Sequence, residues 1–492
     1  MNKSTAIVIG AGVGGLASAI RLAAKGYAVQ VFERNAYPGG KLSAFQQQGY
    51  LFDAGPSLFT QPQNIEELFA LCNQPMAAYF KYQSVPVACQ YFFANGKQLT
   101  AHANAQRLAA NMHIQLGENA EAVINYLSRA QNAYQHIGEF FLNNSLHRLK
   151  TYLNTALLKA LWHTRLGYLT KSLNRFNTRA FRTPEAVQLF NRYATYNGSN
   201  PYKAPAMLSM IPHLEMNEGT FYPNGGMISI TNALVALATK MGVQFHFSTP
   251  VLAINRQQGQ VQGVQTAQGN HVAALVVSNG DVYFTYKHLL NQPALAAKLL
   301  KQERSSSALI FYWGVKHSFE QLQLHNIFFT ADYKQEFDCI FKKGTVAADP
   351  TVYINITSKM EANQAPAGCE NWFVMVNVPA HKQQDWAVLQ QQVRKAVIAK
   401  LSRVLAVNLE SLIATEAILN PIMIEERTAS YRGSLYGTSS NSPLAAFFRH
   451  ANFTKRIRGL YFVGGSVHPG GGIPLCLKSA KIMAEMVPAP ES

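Results

Sequence analysis

The chain has 492 residues, too many for one ordinary hydrophobic core, and 48% of them are hydrophobic, which predicts a globular protein of two or more lobes. No run reaches the roughly 18 unbroken apolar residues of a spanning helix, and a strand pattern from Thr5 leaves no room for a cleavable leader, so we expect a cytoplasmic protein. The 43 Lys and Arg against 26 Asp and Glu give a net charge of +17, which attracts polyanions. The sequence contains no recognisable nucleic-acid module, so the charge favours an anionic membrane surface over nucleic acid.

The chain opens with a strand, turn, helix and strand. The apolar run TAIVIG at 5–10 predicts a strand, and the helix that follows should end near Gly26, a residue suited to the left-handed end of a helix. A second strand is predicted at 28–32, and it stops at Glu33. This order is typical of a dinucleotide-binding unit.

The turn between the first strand and the helix has the pattern GxGxxG. Gly10 is predicted to make the tight turn, Gly12 to let main chain approach a pyrophosphate, and Gly15 to let the helix pack closely on the strand. The phosphates would lie at the helix N-terminus, where unpaired amides and the helix dipole stabilise an anion. Glu33 follows Gly10 by 23 residues, near the spacing at which an acid binds a ribose hydroxyl.

The residues after this acid distinguish between cofactors. Arg34 comes next, then a glycine pair ending at Gly40, then the cation Lys41, and further on Gly55 and Pro56. A glycine pair and a cation in this place resemble the flavin superfamily that includes amine oxidases, protoporphyrinogen oxidases and carotenoid desaturases. The resemblance implies FAD, with glycine main chain against the cofactor and Lys41 neutralising phosphate charge.

The middle of the chain adds a second lobe. Short β-type runs at 242–280 (VQFHF, VLAINR, VQGVQT, AALVVS) predict a small meander followed by a return strand to the main sheet. Helical patterns with β-type runs at 308–315 and 371–378 predict a lobe built from two insertions. We therefore predict an α/β protein, a Rossmann-like (doubly wound) FAD-binding domain with an inserted α+β substrate-binding domain. The first would comprise 1–75, 225–290 and 420–492, and the second 76–224 and 291–419.

One block of the second lobe lacks acidic residues. From 140 to 184 the chain has Lys and Arg alternating with Leu, Tyr, Phe and Trp162, and no Asp or Glu. Such a composition is typical of a basic amphipathic surface, where each cation near an anionic leaflet contributes about 1 kcal/mol. The alternative is an ordinary solvated helix pair over a core.

The chain closes on a second glycine-rich segment. Gly464 and Gly465 follow a strand pattern, and Gly472, Ile473 and Pro474 begin a helical pattern in which proline suits the first turn. A helix N-terminus at the flavin would stabilise the negative charge of the reduced ring. The alternative is a glycine loop that only ends a strand.

The remaining chemical side chains point to no metal centre. The five cysteines lie far apart and are odd in number, so we expect buried thiols. The 14 histidines contain no HExxH or similar spacing, so no metal site is predicted.

Three segments together make the resemblance specific. The amino-terminal flavin motif, FYPNGG at 221–226 and HPGGGIP at 468–474 are similar to bacterial-type phytoene and carotenoid desaturases over essentially the whole chain. Val467 and Gly471 depart from the family pattern and are conservative for a backbone-driven site. Further stretches, including VGGSVHPGGGIPLCLKSAK, look most similar to hydroxycarotenoid 3,4-desaturases of Bacteroidetes-like bacteria, with phytoene desaturase as the close alternative.

The resemblance implies an acyclic carotenoid substrate, hydride transfer to flavin, and a cation delocalised over the polyene, so that positioning in a dry tunnel matters more than a strong base. It adds Val251 to the FAD contacts. It also implies His213 and Glu215, just before the 221–226 turn, as candidates for proton acceptance or positioning, with a structural role as the alternative. A flavin-dependent carotenoid isomerase, an amine oxidase and a non-enzymatic lipid-binding protein remain open, and the protein is expected at the inner face of the cell membrane. The sequence leaves the oligomeric state unknown.

Overall fold

Two β-sheets organise the chain. The structure is a computed structural model that describes residues 4–153, 166–442, 445 and 449–490. A five-stranded sheet forms the core of one lobe and a seven-stranded sheet the core of the other. The α/β class and the Rossmann-like arrangement predicted from the sequence are confirmed.

The five-stranded sheet is parallel throughout. Its strands, in spatial order, are Leu460–Phe462, Leu275–Ser278, Thr5–Ile9, Ala28–Phe32 and Gln244–His246. Apolar side chains of the helices Val13–Ala24, Ile228–Lys240 and Ile473–Met486 pack on one face. On the other face lies a three-stranded antiparallel sheet of Ala253–Gln257, Gln260–Thr266 and Gly269–Val272. Both faces are therefore covered, as a parallel sheet requires.

The opening unit has the predicted form. The first helix follows the first strand directly, its last turn ends at Lys25, and Gly26 has a φ of +102°. The meander and the return strand are also confirmed, with one correction. The run VQFHF is outside the meander, because Gln244–His246 pairs with Ala28–Phe32 at the edge of the main sheet. The third meander strand is Gly269–Val272, whose polar composition did not predict a strand.

The seven-stranded sheet joins distant parts of the chain. Its spatial order is Ile413–Leu419, Ser307–Val315, Glu370–Val378, Val352–Ile356, His325–Phe328, Val87–Phe92 and Gln98–His102. All neighbours are antiparallel except Val87–Phe92 and His325–Phe328, which are parallel. The domain boundaries stay a prediction, but the sheet draws its strands from two separate segments of sequence.

The strand Ser307–Val315 shows how this sheet separates its two faces. All nine residues are buried, and successive side chains point to opposite faces. Phe311 and Trp313 pack into a core with the helix Trp386–Leu405. Ile310 lies on the opposite face, among residues that line a cavity between the lobes. The sheet therefore supplies one wall of that cavity.

Shorter elements complete the described fold. Two small antiparallel pairs are a hairpin of Ala44–Gln47 with Tyr50–Asp53 and a long-range pair of Tyr82–Ser84 with Phe221–Pro223. The other α-helices are Gln63–Leu71, Ala105–Leu116, Ala120–Ala133, Glu139–Asn143, Leu149–Tyr152, Leu166–Thr170, Leu173–Ala180, Pro184–Asn191, Pro212–Met216, Val282–Phe284, Pro293–Leu299, Tyr333–Asp338, Leu409–Leu412 and Pro421–Thr428. Four of these begin with proline, which has no N–H to leave unsatisfied in the first turn.

Within the described ranges, no helix combines the length and the apolarity needed to cross a bilayer. The same part of the chain contains no group of three or more His, Cys, Asp or Glu side chains placed to hold a metal ion. All five cysteines are free thiols, of which Cys72, Cys89 and Cys339 are buried and the other two half-buried.

Candidate cofactor and substrate site

A cavity of about 820 Å³ lies between the lobes. The structure brings fourteen of the fifteen predicted cofactor residues to its wall, although they are spread over more than 450 positions of the sequence. They are Gly10, Gly12, Glu33, Arg34, Gly40, Lys41, Gly55, Pro56, Val251, Gly464, Gly465, Gly472, Ile473 and Pro474. Their contacts to FAD stay a prediction, but the two glycine motifs form one site.

The fifteenth residue, Gly15, lies behind the wall. A Cβ atom on Gly15 would be 2.0 Å from the carbonyl oxygen of Gly10, so only glycine lets the first helix pack this closely on the first strand. A Cβ on Gly14 would be 3.3 Å from the Cα of Gly464. The main chains of the two glycine motifs therefore approach each other closely.

Two helix N-termini face the cavity. The helices Val13–Ala24 and Ile473–Met486 begin after Gly12 and Gly472, and neither has a side-chain cap. An uncapped helix start combines unsatisfied amides with the positive end of the helix dipole, which together bind anionic groups. This arrangement suits a cofactor with a diphosphate at one end and a ring that becomes negative on reduction at the other.

Glu33 lies at the end of the second strand of the opening unit. Its buried carboxylate accepts hydrogen bonds from the amides of Ala11, at 2.8 Å, and Asn35, at 2.9 Å. These bonds hold the carboxylate beside the glycine turn, where the sequence predicts a ribose hydroxyl. The neighbouring Arg34 is exposed and donates to the carbonyl of Glu426, so its side chain reaches the end of the helix Pro421–Thr428.

Lys41 directly follows the glycine pair that ends at Gly40. Its amine donates to the carbonyl of Leu435 at 2.8 Å. Burial lowers the pKa of Lys41 to about 8, and the nearby charge of Asp281 partly opposes this change. An anionic ligand would raise the pKa again, so the residue is suited to the charge-neutralising role predicted for it.

Asn279 and Asp281 belong to the site and were not predicted. A Cβ on Gly12 would lie 2.8 Å from Asn279 Nδ2, and one on Gly464 would lie 2.7 Å from Asn279 Oδ1. Asp281 is held by Arg304 at 3.2 Å. A signal was present, because the sequence Asn-Gly-Asp directly follows the strand Leu275–Ser278, and ligands bind at the carboxyl ends of parallel strands.

The far half of the cavity is mostly apolar. Side chains from the seven-stranded sheet and from the short helices at 206–216 form its walls. They include Ala308, Ile310, Ile327, Phe373, Met375, Leu419, Met207, Leu208, Met210, Ile211 and Leu214. This half is suited to a long apolar substrate lying against a flavin.

Of the two predicted catalytic residues, only one lines the cavity. Glu215 lines the cavity and is buried, and its carboxylate accepts from Tyr193 Oη at 2.8 Å and from Arg192 at 3.2 Å. His213 is also buried but is outside the cavity lining, with Nε2 at 3.4 Å from Glu218. Their roles remain predictions. The pairing of Glu215 with two donors favours positioning over proton acceptance.

The turn at 221–226 lies behind the cavity, and none of these six described residues lines it. The turn leads instead into the helix Ile228–Lys240. The carboxylate of Asp53 accepts from the amides of Met227, at 3.0 Å, and Ile228, at 3.3 Å. The turn thus supports the flavin lobe from behind the cavity.

A polar chain crosses the apolar wall. Ser57 Oγ lies 2.7 Å from Tyr353 Oη, which lies 2.8 Å from Nδ1 of His325. All three residues line the cavity. Sequence reasoning missed them because they share no motif: the register of two strands brings His325 beside Tyr353, and the packing of a loop against the sheet adds Ser57.

The residues present fit FAD, because the two glycine segments, the two uncapped helix starts, the acid Glu33 and the cation Lys41 converge on one cavity. The fold and this site together define the class of FAD-dependent oxidoreductases. The chain belongs to the family described as flavin containing amine oxidoreductases, which it matches over residues 13–487.

Two curated relatives cover nearly the whole chain. It is 49% identical to a 1-hydroxycarotenoid 3,4-desaturase of Flavobacterium sp. (strain P99-3), over 98% of this chain and 99% of the relative. It is 30% identical to a phytoene desaturase of Fusarium fujikuroi, over 99% of this chain and 89% of the relative. Among solved structures, an oxidoreductase from Methanosarcina mazei has a TM-score of 0.63 at 17% identity, covering 98% of this chain and 99% of the other, which shows the shared fold.

Proposed function

We propose that this protein is an FAD-dependent carotenoid desaturase that introduces a C=C bond at the 3,4 position of an acyclic 1-hydroxycarotenoid. The observation that carries the proposal is one continuous cavity, with glycine cradles at one end and an apolar wall at the other. A long polyene placed along the apolar wall would present its end to the flavin.

The relatives support this choice among carotenoid reactions. The Flavobacterium 3,4-desaturase is identical at about half of its positions over nearly its full length, whereas the phytoene desaturase is identical at under a third. Phytoene is therefore the alternative substrate, and an assay with each substrate distinguishes it from a 1-hydroxycarotenoid.

FAD, when bound, supplies the hydride acceptor for the C–H bond that is broken. The chain itself binds and orients the reactants. Gly12, Gly14 and Gly464 leave the space that the side chain of Asn279 fills, and Gly12 and Gly464 are proposed to let main chain approach the cofactor. Glu33 and Lys41 are proposed to bind its ribose and its negative charge. The apolar wall excludes water and holds the polyene at the flavin, so that positioning supplies much of the rate enhancement.

Amine oxidation is disfavoured by the charges of the cavity. Lys41, Arg192 and Arg449 all line it, and they would repel an ammonium substrate. Of the three carboxylates that the described chain contributes to the cavity, Asp281 and Glu215 are each already held by an arginine, and Glu33 accepts hydrogen bonds from two main-chain amides. A neutral hydrocarbon substrate is not repelled by these cations and needs no carboxylate as a partner.

The test uses purified protein with added FAD and an electron acceptor, incubated separately with a 1-hydroxylated acyclic carotenoid and with phytoene in lipid vesicles. We expect loss of two hydrogens, read by product mass, and a shift of absorption to longer wavelength with the hydroxylated substrate. A product of unchanged mass would identify an isomerase and contradict the proposal. Conversion of phytoene alone would move the assignment to phytoene desaturation.

We also propose that the protein docks on the inner face of the cell membrane through part of the 140–184 block. Leu149 and Leu153 are 85% and 86% exposed, and the exposed Arg148 and Lys150 flank the first of them. Exposed leucines beside cations are suited to an anionic bilayer surface. Lys159, Trp162 and Arg165 of the block lie outside the described residues.

The position of this surface supports the same proposal. The preceding residues Phe141 and Leu142 line the cavity, so the exposed leucines follow it closely in sequence. A carotenoid dissolved in the bilayer would then reach the cavity without crossing water.

A further inference from the structure

The polar chain of Ser57, Tyr353 and His325 places a hydrogen-bonding group in the mostly apolar wall of the cavity. His325 is 2% exposed and belongs to the strand His325–Phe328. Its Nδ1 atom lies 2.8 Å from Tyr353 Oη and 3.2 Å from Asn355 Nδ2. Two residues on the next strand therefore hold one edge of the imidazole in place.

These partners determine which nitrogen carries the proton. Burial, with a smaller contribution from the charge of Arg192, lowers the pKa of His325 to about 3, so the imidazole is neutral near pH 7. The Nδ2 atom of Asn355 also donates to the carbonyl of Leu324 at 3.1 Å, which identifies it as the amide nitrogen. Because an amide nitrogen only donates, Nδ1 of His325 is an acceptor, and the proton is on Nε2.

Within the described part of the chain, the buried Nε2–H group has no hydrogen-bond acceptor. Buried polar groups are nearly always satisfied, and a donor left unsatisfied is costly. Since His325 lines the cavity, a ligand in the cavity is the natural source of the acceptor.

The position of the donor matches the chemistry of the proposed substrate. In a 1-hydroxycarotenoid the hydroxyl oxygen is only three bonds from C3, so it must lie close to the bond that is oxidised. The polar chain begins at Ser57, directly after the predicted flavin contacts Gly55 and Pro56. The side chain of His325 is thus linked by two hydrogen bonds to the segment of predicted flavin contacts, where such a hydroxyl is proposed to lie.

We propose that His325 is a specificity-determining residue whose Nε2–H donates a hydrogen bond to the C1 hydroxyl oxygen of the carotenoid and so positions the C3–C4 bond at the flavin. Tyr353, Ser57 and Asn355 are positioning residues that hold the required tautomer. This inference rests on the proposed function and adds the group that distinguishes hydroxylated from non-hydroxylated ends.

The test compares holoenzymes with His325→Phe, which removes the donor, and His325→Gln, which keeps an N–H near the same place. His317→Phe is the matched control, because His317 is exposed and outside the cavity lining. Each protein is assayed for kcat and KM on a 1-hydroxylated acyclic carotenoid and on the same carotenoid without the hydroxyl. FAD content and unfolding temperature are measured alongside.

We expect His325→Phe to lower kcat/KM for the hydroxylated substrate by about tenfold or more relative to the non-hydroxylated one, with FAD content unchanged. His325→Gln should recover part of this preference, and His317→Phe should match wild type. An equal loss on both substrates, or a loss of FAD, would assign the donor to the fold or the cofactor and overturn the inference. Wild-type turnover without any hydroxyl preference would also overturn it and leave desaturation intact, whereas no wild-type turnover of either substrate would overturn the proposed function.

Discussion

Lys41 is expected to make the affinity for the anionic cofactor depend on pH. Its lowered pKa of about 8 means that the free protein loses this cation as pH rises through 8, well below the ordinary lysine value. An anionic ligand binds the protonated form better, so FAD affinity should fall by at most about tenfold per pH unit above pH 8.

Replacement of Lys41 by Met should remove this dependence and weaken FAD binding at about pH 7. The measurement is FAD titration by fluorescence between about pH 7 and pH 9.5. Lys240→Met is the matched control, since Lys240 is exposed at the end of the helix Ile228–Lys240 and away from the cavity. The same pH profile in wild type and Lys41→Met would show that the amine does not meet the negative charge of FAD.

Glu215 forms a buried ion pair with Arg192, and this ion pair determines how replacement of Glu215 changes the stability of the protein. Glu215→Gln leaves the guanidinium without its countercharge, which typically costs about 3 kcal/mol or more. We expect a lower unfolding temperature with FAD still bound. The double variant Arg192→Met/Glu215→Leu should recover part of the loss, because it removes both charges. Unchanged thermal unfolding with abolished turnover would instead make Glu215 the proton acceptor.

The first helix packs closely on the first strand because Gly15 has no Cβ atom. Gly15→Ala would place its Cβ 2.0 Å from the carbonyl oxygen of Gly10, so the helix Val13–Ala24 must move away from the sheet and from the cofactor cradle. FAD affinity should fall by at least about tenfold. The measurement is the FAD content of purified protein and its titration with free FAD.

Gly167→Ala is the matched control, because among the described residues the nearest neighbour of its Cβ would be Lys171 Nζ at 3.7 Å, an ordinary contact beside the helix Leu166–Thr170. It should bind FAD as wild type does. Normal FAD binding by Gly15→Ala would mean that the cradle tolerates displacement of the helix.

At the level of secondary structure, the sequence predicted the flavin lobe more completely than the second lobe. The strand, helix and strand of the opening unit are each specified by their own residues, and so is the helix that starts at Ile473. The edge strand Gln244–His246 was assigned to the wrong sheet, because three residues of β-type sequence carry no information about their partner. The seven-stranded sheet likewise pairs strands more than 200 residues apart.

On the molecule as a whole, the surface proposed to bind the membrane is the basic and partly apolar one around Leu149 and Leu153. Leu149→Ser/Leu153→Ser should reduce sedimentation with anionic vesicles by about tenfold or more, because each exposed leucine loses about 1 kcal/mol or more of burial in the bilayer interface. Binding by wild type should also weaken with added salt.

Ile114→Ser is the control for this surface, since Ile114 is 78% exposed on the helix Ala105–Leu116 and outside the 140–184 block. It should sediment as wild type does. Equal sedimentation of all three proteins, or binding that is insensitive to salt, would contradict docking through Leu149 and Leu153.

The glycine motifs and the acid at Glu33 were readable from the chain because their roles are local. Close helix packing, a tight turn and an uncapped helix start each depend on a few consecutive residues, and these predicted the dinucleotide fold and, with the resemblance, FAD. The cavity depends on residues that no local pattern connects. Asn279 lies between the two glycine motifs, and Glu215 pairs with Arg192. His325 meets Tyr353 because two strands of one sheet are aligned in a particular register, and Ser57 reaches Tyr353 from a loop packed on that sheet. Packing and register are long-range, so the folded chain alone determines which polar groups face the substrate.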